Sequence, residues 1–240
     1  MLDEQGLKPT ARDPYLQMLN EYYIGKLLNN EMSVLDIGCG EGSSTIVFAK
    51  LVRSIVGVDY SDTLIKQADY KAVENSKFMI GDVLELDKLF SPSTFDAVIS
   101  IRCLINIPDT EQQYRGLDNI VSVLKPGGLL LLSEGYQKGW KGINKHRKNN
   151  GLSKMEVVPY NKLFGCELKN TLMKYGKIVD FIGFGEYLYG SRVVHPLLFS
   201  HVKHDAPINK VYADLHKNST STHNFKDCDY VGIYVVKKNG

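Results

Sequence analysis

Apolar positions along the chain fall into short runs that alternate between two periods. Tyr15, Leu16, Met18, Leu19, Tyr22, Tyr23, Ile24, Leu27 and Leu28 recur at helical spacing after Asp13-Pro14, which predicts an amphipathic helix to about Asn30. Ser33-Val-Leu-Asp-Ile37 then reads as a buried strand, broken at once by Gly38-Cys-Gly-Glu-Gly42. A helix over 43–51 and a strand over 54–58 complete a strand–turn–helix–strand unit. The alternation continues with a helix over 61–74 and strands at 77–80 and 95–101. A helix over 110–124 follows, stopped by Lys125-Pro-Gly-Gly128, and then a strand at 129–132. The segment 135–158 is looser and punctuated by glycines. A helix over 163–175, a strand at 177–182, a helix at 209–216 and a last strand at 230–236 end the chain. Residues 1–13 read as a loose tail. The expected architecture is α/β, a doubly wound, mostly parallel seven-stranded sheet with helices on both faces.

Length and composition keep this to one domain. The chain has 240 residues, 43% hydrophobic and 23% charged, enough to bury a core without disulfides or a structural metal. The formal net charge of +2 argues against a dedicated nucleic-acid binder. Cys39, Cys103, Cys166 and Cys228 are far apart and form no metal-ligand spacing, so no metal is expected. His201-x-x-His204-Asp205 has no evident third ligand and reads as a solvated loop. The first residues carry no apolar leader, and Leu129–Leu132 is too short a run to span a bilayer. A cytoplasmic protein without a membrane partner is the expectation.

The chemistry concentrates in Val34-Leu-Asp-Ile-Gly-Cys-Gly-Glu-Gly42. Glycines directly after a strand let a ligand approach the backbone, and the next helix start presents free N–H groups. Asp36 stands two residues before Gly38, and Gly40 follows. A carboxylate there suits a cationic ligand group and would repel a diphosphate, and Ser43 occupies the place where a dinucleotide fingerprint has its third glycine. Four segments in order, over residues 34–134, resemble class I S-adenosylmethionine-dependent methyltransferases: VLDIGCGEG, Gly57-Val-Asp59-Tyr-Ser61, Gly81-Asp82-Val83, and Phe95–Asn106 followed by Leu124-Lys-Pro-Gly-Gly-Leu129.

That resemblance implies a Rossmann-like methyltransferase fold and S-adenosyl-L-methionine as cofactor. It implies that Asp36, Gly38 and Gly40 meet the amino acid end of the cofactor and Asp59 with Tyr60 the ribose. Asp82 with Val83 would meet the adenine, and Ser100, Ile101 and Arg102 would edge the site. From the residues alone, capping of the helix that follows is the alternative role for Asp59, and capping of the turn before Leu84 the alternative for Asp82. Asn106 stands where the family often has histidine.

The acceptor half is expected from the less regular segments, about 135–165 and 190–228, as a lid. Residues 137–148 hold five Lys/Arg, one His and no acid, which suggests a basic cover over the sheet edge and an anionic small-molecule acceptor. The same lysines can instead be a solvated helix face. Glu134-Gly-Tyr136-Gln, Asn144-x-x-Arg147 and Gly190-Ser-Arg192-Val-Val-His195-Pro are similar to methyltransferases of bacterial surface-polysaccharide pathways. This likeness implies O-methylation of a sugar, free or nucleotide-linked. Glu134, Tyr136, Asn144, Arg147, Tyr160, Asn161 and Arg192 are then the candidate acceptor contacts, and His195 and His146 the candidate bases. RNA, an amine acceptor, or a non-catalytic cofactor-binding subunit are the alternatives.

Overall fold

The computed structural model describes residues 13–219 and 225–240, so the expected tail over 1–12 and the part of the second lid segment over 220–224 lie outside the described residues. Helix α1 (Pro14–Gly25) begins where Asp13 caps it and stops a turn short of the expected end, in a turn at Lys26. The expected strand–helix units follow: β1 (Ser33–Ile37), α2 (Ser43–Ala49), β2 (Ser54–Asp59), α3 (Asp62–Asp69), β3 (Ser76–Ile80) and β4 (Phe95–Ile101). Then come α4 (Thr110–Val123) and β5 (Leu124–Gly135), the latter longer at both ends than its apolar run.

One seven-stranded sheet runs β3-β2-β1-β4-β5-β7-β6, with β6 (Gly176–Gly183) and β7 (Val231–Lys238) at its far side. β7 is antiparallel to both neighbours and the other pairs are parallel. The order reverses between β1 and β4, which opens a crevice at the carboxyl ends of those strands. Alternate strand residues serve two core layers. Val34, Ile55, Ala97, Ile99 and Leu131 pack with α1 and α2, whereas Leu35, Ile37, Val58, Val98 and Leu130 pack with α4.

The segment after β5 departs most from expectation. It forms α5 (Gln137–Asn149), whose glycines weaken a helical reading of the sequence. Those glycines serve packing. A Cβ on Gly139 would lie 2.1 Å from the Asp229 carbonyl carbon, and one on Gly142 1.7 Å from the Asp227 carbonyl oxygen. Helix α6 (Glu167–Tyr175) starts four residues late, after an irregular strap. Beyond β6 come α7 (Gly185–Tyr189), a π-helical turn at Gly190–Val194, α8 (His195–Leu198) and α9 (Pro207–Asn218). α9 packs on α1 and α7.

Candidate active site

The site begins with what the β1 turn must do. Gly38, Gly40 and Gly42 have φ of +73°, +56° and +80°, in the left-handed region that L-residues avoid. Gly38 and Cys39 donate their N–H groups to the Val58 carbonyl, at 2.8 and 3.1 Å, which folds the turn back over β2. A Cβ on Gly38 would lie 2.6 Å from the Cys103 Cβ, so the turn after β4 closes on it from the other side.

Two carboxylates organise this corner. Asp59, at the end of β2, accepts from Gly40 N (3.0 Å) and Ser61 N (2.9 Å). Ser61, not Asp59, caps α3. Asp36 is buried and accepts from the Thr45 hydroxyl at 2.6 Å. Burial pushes its carboxyl up to about 6 against that hydrogen bond, and the charges of Asp59 and Glu41 add to the rise.

A cavity of about 290 Å³ opens here, lined by Asp36, Gly38, Gly40, Asp59, Tyr60, Ile101 and Arg102. Arg102 itself takes a φ of +54° as the chain leaves β4. Ser100, Asp82 and Val83 are not among its lining. The Ser100 hydroxyl donates to Glu134 at 2.9 Å, and Val83 is buried. Asp82 caps the turn after β3, accepting from Leu84 N at 2.9 Å.

α1 supplies a wall that the sequence reading did not assign. Asp13, Leu16, Gln17 and Asn20 line the same cavity. Asp13 is buried, accepts from Leu16 N and the Tyr187 hydroxyl, and pairs with Arg192. Burial works to raise its pKa, yet Arg192 and these donors hold the carboxyl below its ordinary range. The sequence signal was Asp13-Pro14, which marks a helix start but not what the carboxylate meets.

The acceptor candidates divide. Tyr160 lines the cavity. Asn161 donates to Asn106 Oδ1 at 2.6 Å, and Asn106, also on the cavity, donates to the Arg102 carbonyl at 2.7 Å. Glu134 is instead structural: wholly buried, it accepts from the Ser100 hydroxyl and the N–H groups of Cys103, Leu104 and Ile105. Burial pushes its carboxyl up to about 7 against those four donors. Tyr136 is buried, its hydroxyl facing the Leu132 and Gly232 carbonyls. Asn144 binds both backbone groups of Met155, and Arg147 donates to the Ser153 and Arg192 carbonyls. These two tie down the strap after α5. Arg192 reaches the site only through Asp13; its Nε donates to the Tyr230 hydroxyl at 3.1 Å.

Neither candidate base lines the cavity. His195 is buried with Nδ1 3.0 Å from Asn209 Oδ1 and its ring edge-on to Phe199. His146 is 2.8 Å from Asp227 and edge-on to Tyr189. The basic helix α5 packs on the turn at Lys226–Cys228 and on the π-helical turn, so it does not cover the cavity. His146, Asp227 and Cys228 also make the group of metal-ligand type found among the described residues, away from the cavity lining.

A sequence profile described as a methyltransferase domain matches residues 28–178, more than half of the chain. The chain belongs to the methyltransferase family. S-adenosylmethionine is its cofactor, and the residues present fit that group. Glycines at positive φ leave the turn open, buried Asp36 and nearby Glu41 suit a cation, and Asp59 at the β2 end suits a diol. A diphosphate would meet three carboxylates.

This methyltransferase is 32% identical over 129 residues to a sterol 24-C-methyltransferase of Clavispora lusitaniae, covering 51% of this chain and 32% of that protein. It is 27% identical over 175 residues to phosphoethanolamine N-methyltransferase 1 of Triticum aestivum, covering 71% of this chain and 32% of that one. The chain thus spans about a third of the length of these curated relatives. The N-methyltransferase NodS of Bradyrhizobium japonicum shares the fold, with a TM-score of 0.56 at 13% identity over 95% of this chain and 98% of that one. Among the described residues no helix is long and apolar enough to cross a membrane.

Proposed function

We propose that this methyltransferase moves the sulfonium methyl of S-adenosylmethionine to a small polar acceptor, a sugar hydroxyl in the first instance. The observation that carries this is the cavity wall facing the glycine turn. Gln17, Asn106 and Tyr160 line it with amide and phenol groups and Leu16 and Ile101 with aliphatic ones, while Asp13 and Asn20 also line it with their polar atoms engaged by Leu16, Tyr187, Arg192 and Ser133. Hydroxyl-bearing rings are held by such amides and carboxylates, with an aromatic face against their C–H groups, whereas a sterol would need a longer apolar wall.

Asp36, Gly38, Gly40 and Asp59 would hold the cofactor, which supplies an electrophilic methyl when bound. Arg102, Asn106 and Tyr160 would orient the acceptor for in-line attack. Arg102 is the cationic side chain among the described lining, against Asp13, Asp36, Glu41 and Asp59. The part of the acceptor that enters is therefore not an anion, and an anionic carbohydrate is not the reading this lining supports. With both histidines elsewhere, the groups on the wall able to take a proton are carboxylates.

That last point favours a second reading, an amine acceptor. An ammonium gives up its proton far more readily than an alcohol, so a carboxylate or water suffices as base. The wheat relative and NodS are both named N-methyltransferases. Mass spectrometry of products from S-adenosylmethionine with sugars, sugar nucleotides, small amines and total RNA tests the proposal. One added methyl on a sugar oxygen supports it, and methylation confined to amines or RNA overturns the first reading. Tight cofactor binding without turnover on any acceptor leaves a cofactor-binding subunit.

A further inference from the structure

A second, larger cavity of about 480 Å³ lies between the first turn of α5, the start of α6 and the antiparallel side of the sheet. Its floor is aromatic. The Tyr136, Phe181 and Tyr234 rings touch one another, with centroids 4.5–5.9 Å apart, and Phe164 and Leu168 complete the apolar surface. Three lysines from three different elements, Lys138, Lys169 and Lys226, stand around it, all exposed. Among the described residues none of the three has a carboxylate within 4.0 Å. Asp229 is the carboxylate on the lining; its Oδ1 is already engaged by Gly185 N at 2.6 Å, and Lys226 is near enough to offset part of its charge, which leaves Lys138 and Lys169 in excess.

We propose that this cavity is a binding site for a small amphiphilic anion, an aryl or medium-chain acyl body with a carboxylate or sulfonate head. The volume is that of small-molecule sites in general. The edge-on and tilted rings with Leu168 take an apolar body, and an excess of cations at the mouth takes the head. A neutral apolar ligand would gain nothing from the three lysines, and a cation would be repelled by them. The site is independent of the proposed acceptor chemistry but not isolated from it. The strap that carries Tyr160 at the first cavity, and Asn161 bonded to Asn106 there, continues to Phe164 and Cys166 at the second. That strap is pinned by hydrogen bonds from Phe164 N to the Gly135 carbonyl and from Lys162 N to the Ile105 carbonyl.

The test uses 1-anilinonaphthalene-8-sulfonate as fluorescent probe on the full chain, with decanoate as competitor. One saturable site with blue-shifted emission is expected, displaced by decanoate and left in place by S-adenosylhomocysteine. Lys138→Glu/Lys169→Glu/Lys226→Glu should weaken binding at least tenfold, and the matching triple Lys→Arg variant should retain it. Cys166 is exposed on the cavity rim, so decanoate should slow its alkylation by iodoacetamide, read by peptide mapping. Probe binding unchanged by the charge reversal, displacement by S-adenosylhomocysteine, or Cys166 alkylation indifferent to decanoate would each overturn the proposal. Since none of these readings needs turnover, they stand or fall apart from the methyl acceptor.

Discussion

Placing a methyl group on Gly38 tests whether the turn geometry carries the cofactor site. In Gly38→Ala the new Cβ would sit 2.6 Å from the Cys103 Cβ and 2.8 Å from its Sγ, on a residue held at φ +73°. The left-handed conformation costs an alanine about 1–2 kcal/mol. Forcing the overlap apart adds about 1–3 kcal/mol. The sum, about 2–5 kcal/mol, corresponds to a fall of roughly 5–20 °C in melting temperature for a chain of this size. S-adenosylmethionine affinity should fall as well, because relief must come from moving the turn or the segment after β4, and both line the cavity. A double-mutant cycle separates the two contributions. Cys103→Gly removes the colliding atoms, so the cost of Gly38→Ala in that background should shrink to the backbone strain alone, giving a coupling of at least about 1 kcal/mol. Urea denaturation of the four proteins measures stability, and titration calorimetry measures cofactor affinity. Strict additivity, or Gly38→Ala binding cofactor like the wild type, would refute the claim that these two turns press on each other at the site.

Asp59→Ala should weaken S-adenosylmethionine binding at least about tenfold in calorimetry, since it also removes the acceptor that positions Gly40 N. The carboxyl of Asp36 is near 6 in the fold, above its ordinary 3.8, so the native state keeps a proton that the unfolded chain has released. Stability should therefore decline as pH rises from about 4 to about 6, by about 3 kcal/mol from this group, and Asp36→Asn should remove that part of the slope in denaturant titrations. Arg192→Met should destabilise by about 3–5 kcal/mol by leaving Asp13 buried and unpaired, with Asp13→Asn/Arg192→Met recovering part of the loss. His195→Ala should leave cofactor affinity unchanged while costing about 1–3 kcal/mol of stability at the Asn209 contact; a large loss of affinity at full stability would return the histidine to the site.

The corner built by the glycine turn and Asp59 is legible in the sequence because its determinants are close together in the chain. Strand, glycine turn and helix start lie within residues 33–49, and Asp59 meets Gly40 from 19 positions away. The turn needs glycine for a local reason, positive φ, which a single sequence displays. The mostly parallel seven-stranded sheet followed from the same alternation, whereas the antiparallel setting of β7 between β5 and β6 did not. The acceptor half was not legible in that way. Asp13 meets Tyr187 174 residues away and Arg192 179 away, so nothing near it in the sequence marks its role. α5 was missed because Gly139 and Gly142 answer to the backbone at 227–230 and not to helix propensity. Glu134, Asn144, Arg147 and His195 stand out in the sequence through short segments of family likeness and through their residue types. Each is consumed by the backbone or by a neighbouring amide.

That consumption has a consequence for how the two halves are joined. Asn144 and Arg147 spend their directional hydrogen bonds on the carbonyls of Ser153, Met155 and Arg192, and Arg192 spends its own on Asp13 and Tyr230. The chain of contacts thus runs from the strap after α5, through the π-helical turn, to the residue that caps α1. α1 in turn faces the cofactor cavity with Leu16, Gln17 and Asn20, and Asn20 is fixed by the Ser133 hydroxyl at 2.6 Å. Burying a guanidinium and a carboxylate to hold one helix end is costly compared with an apolar contact. A π-helical turn at the same place is a further local irregularity of the kind that gathers at functional sites. Both are intelligible if the position of α1 matters more than its stability. In the proposed function this helix is the wall that the acceptor would share with the cofactor, and a displacement of about 1 Å in such a wall would cost as much in rate as the loss of a contact within it.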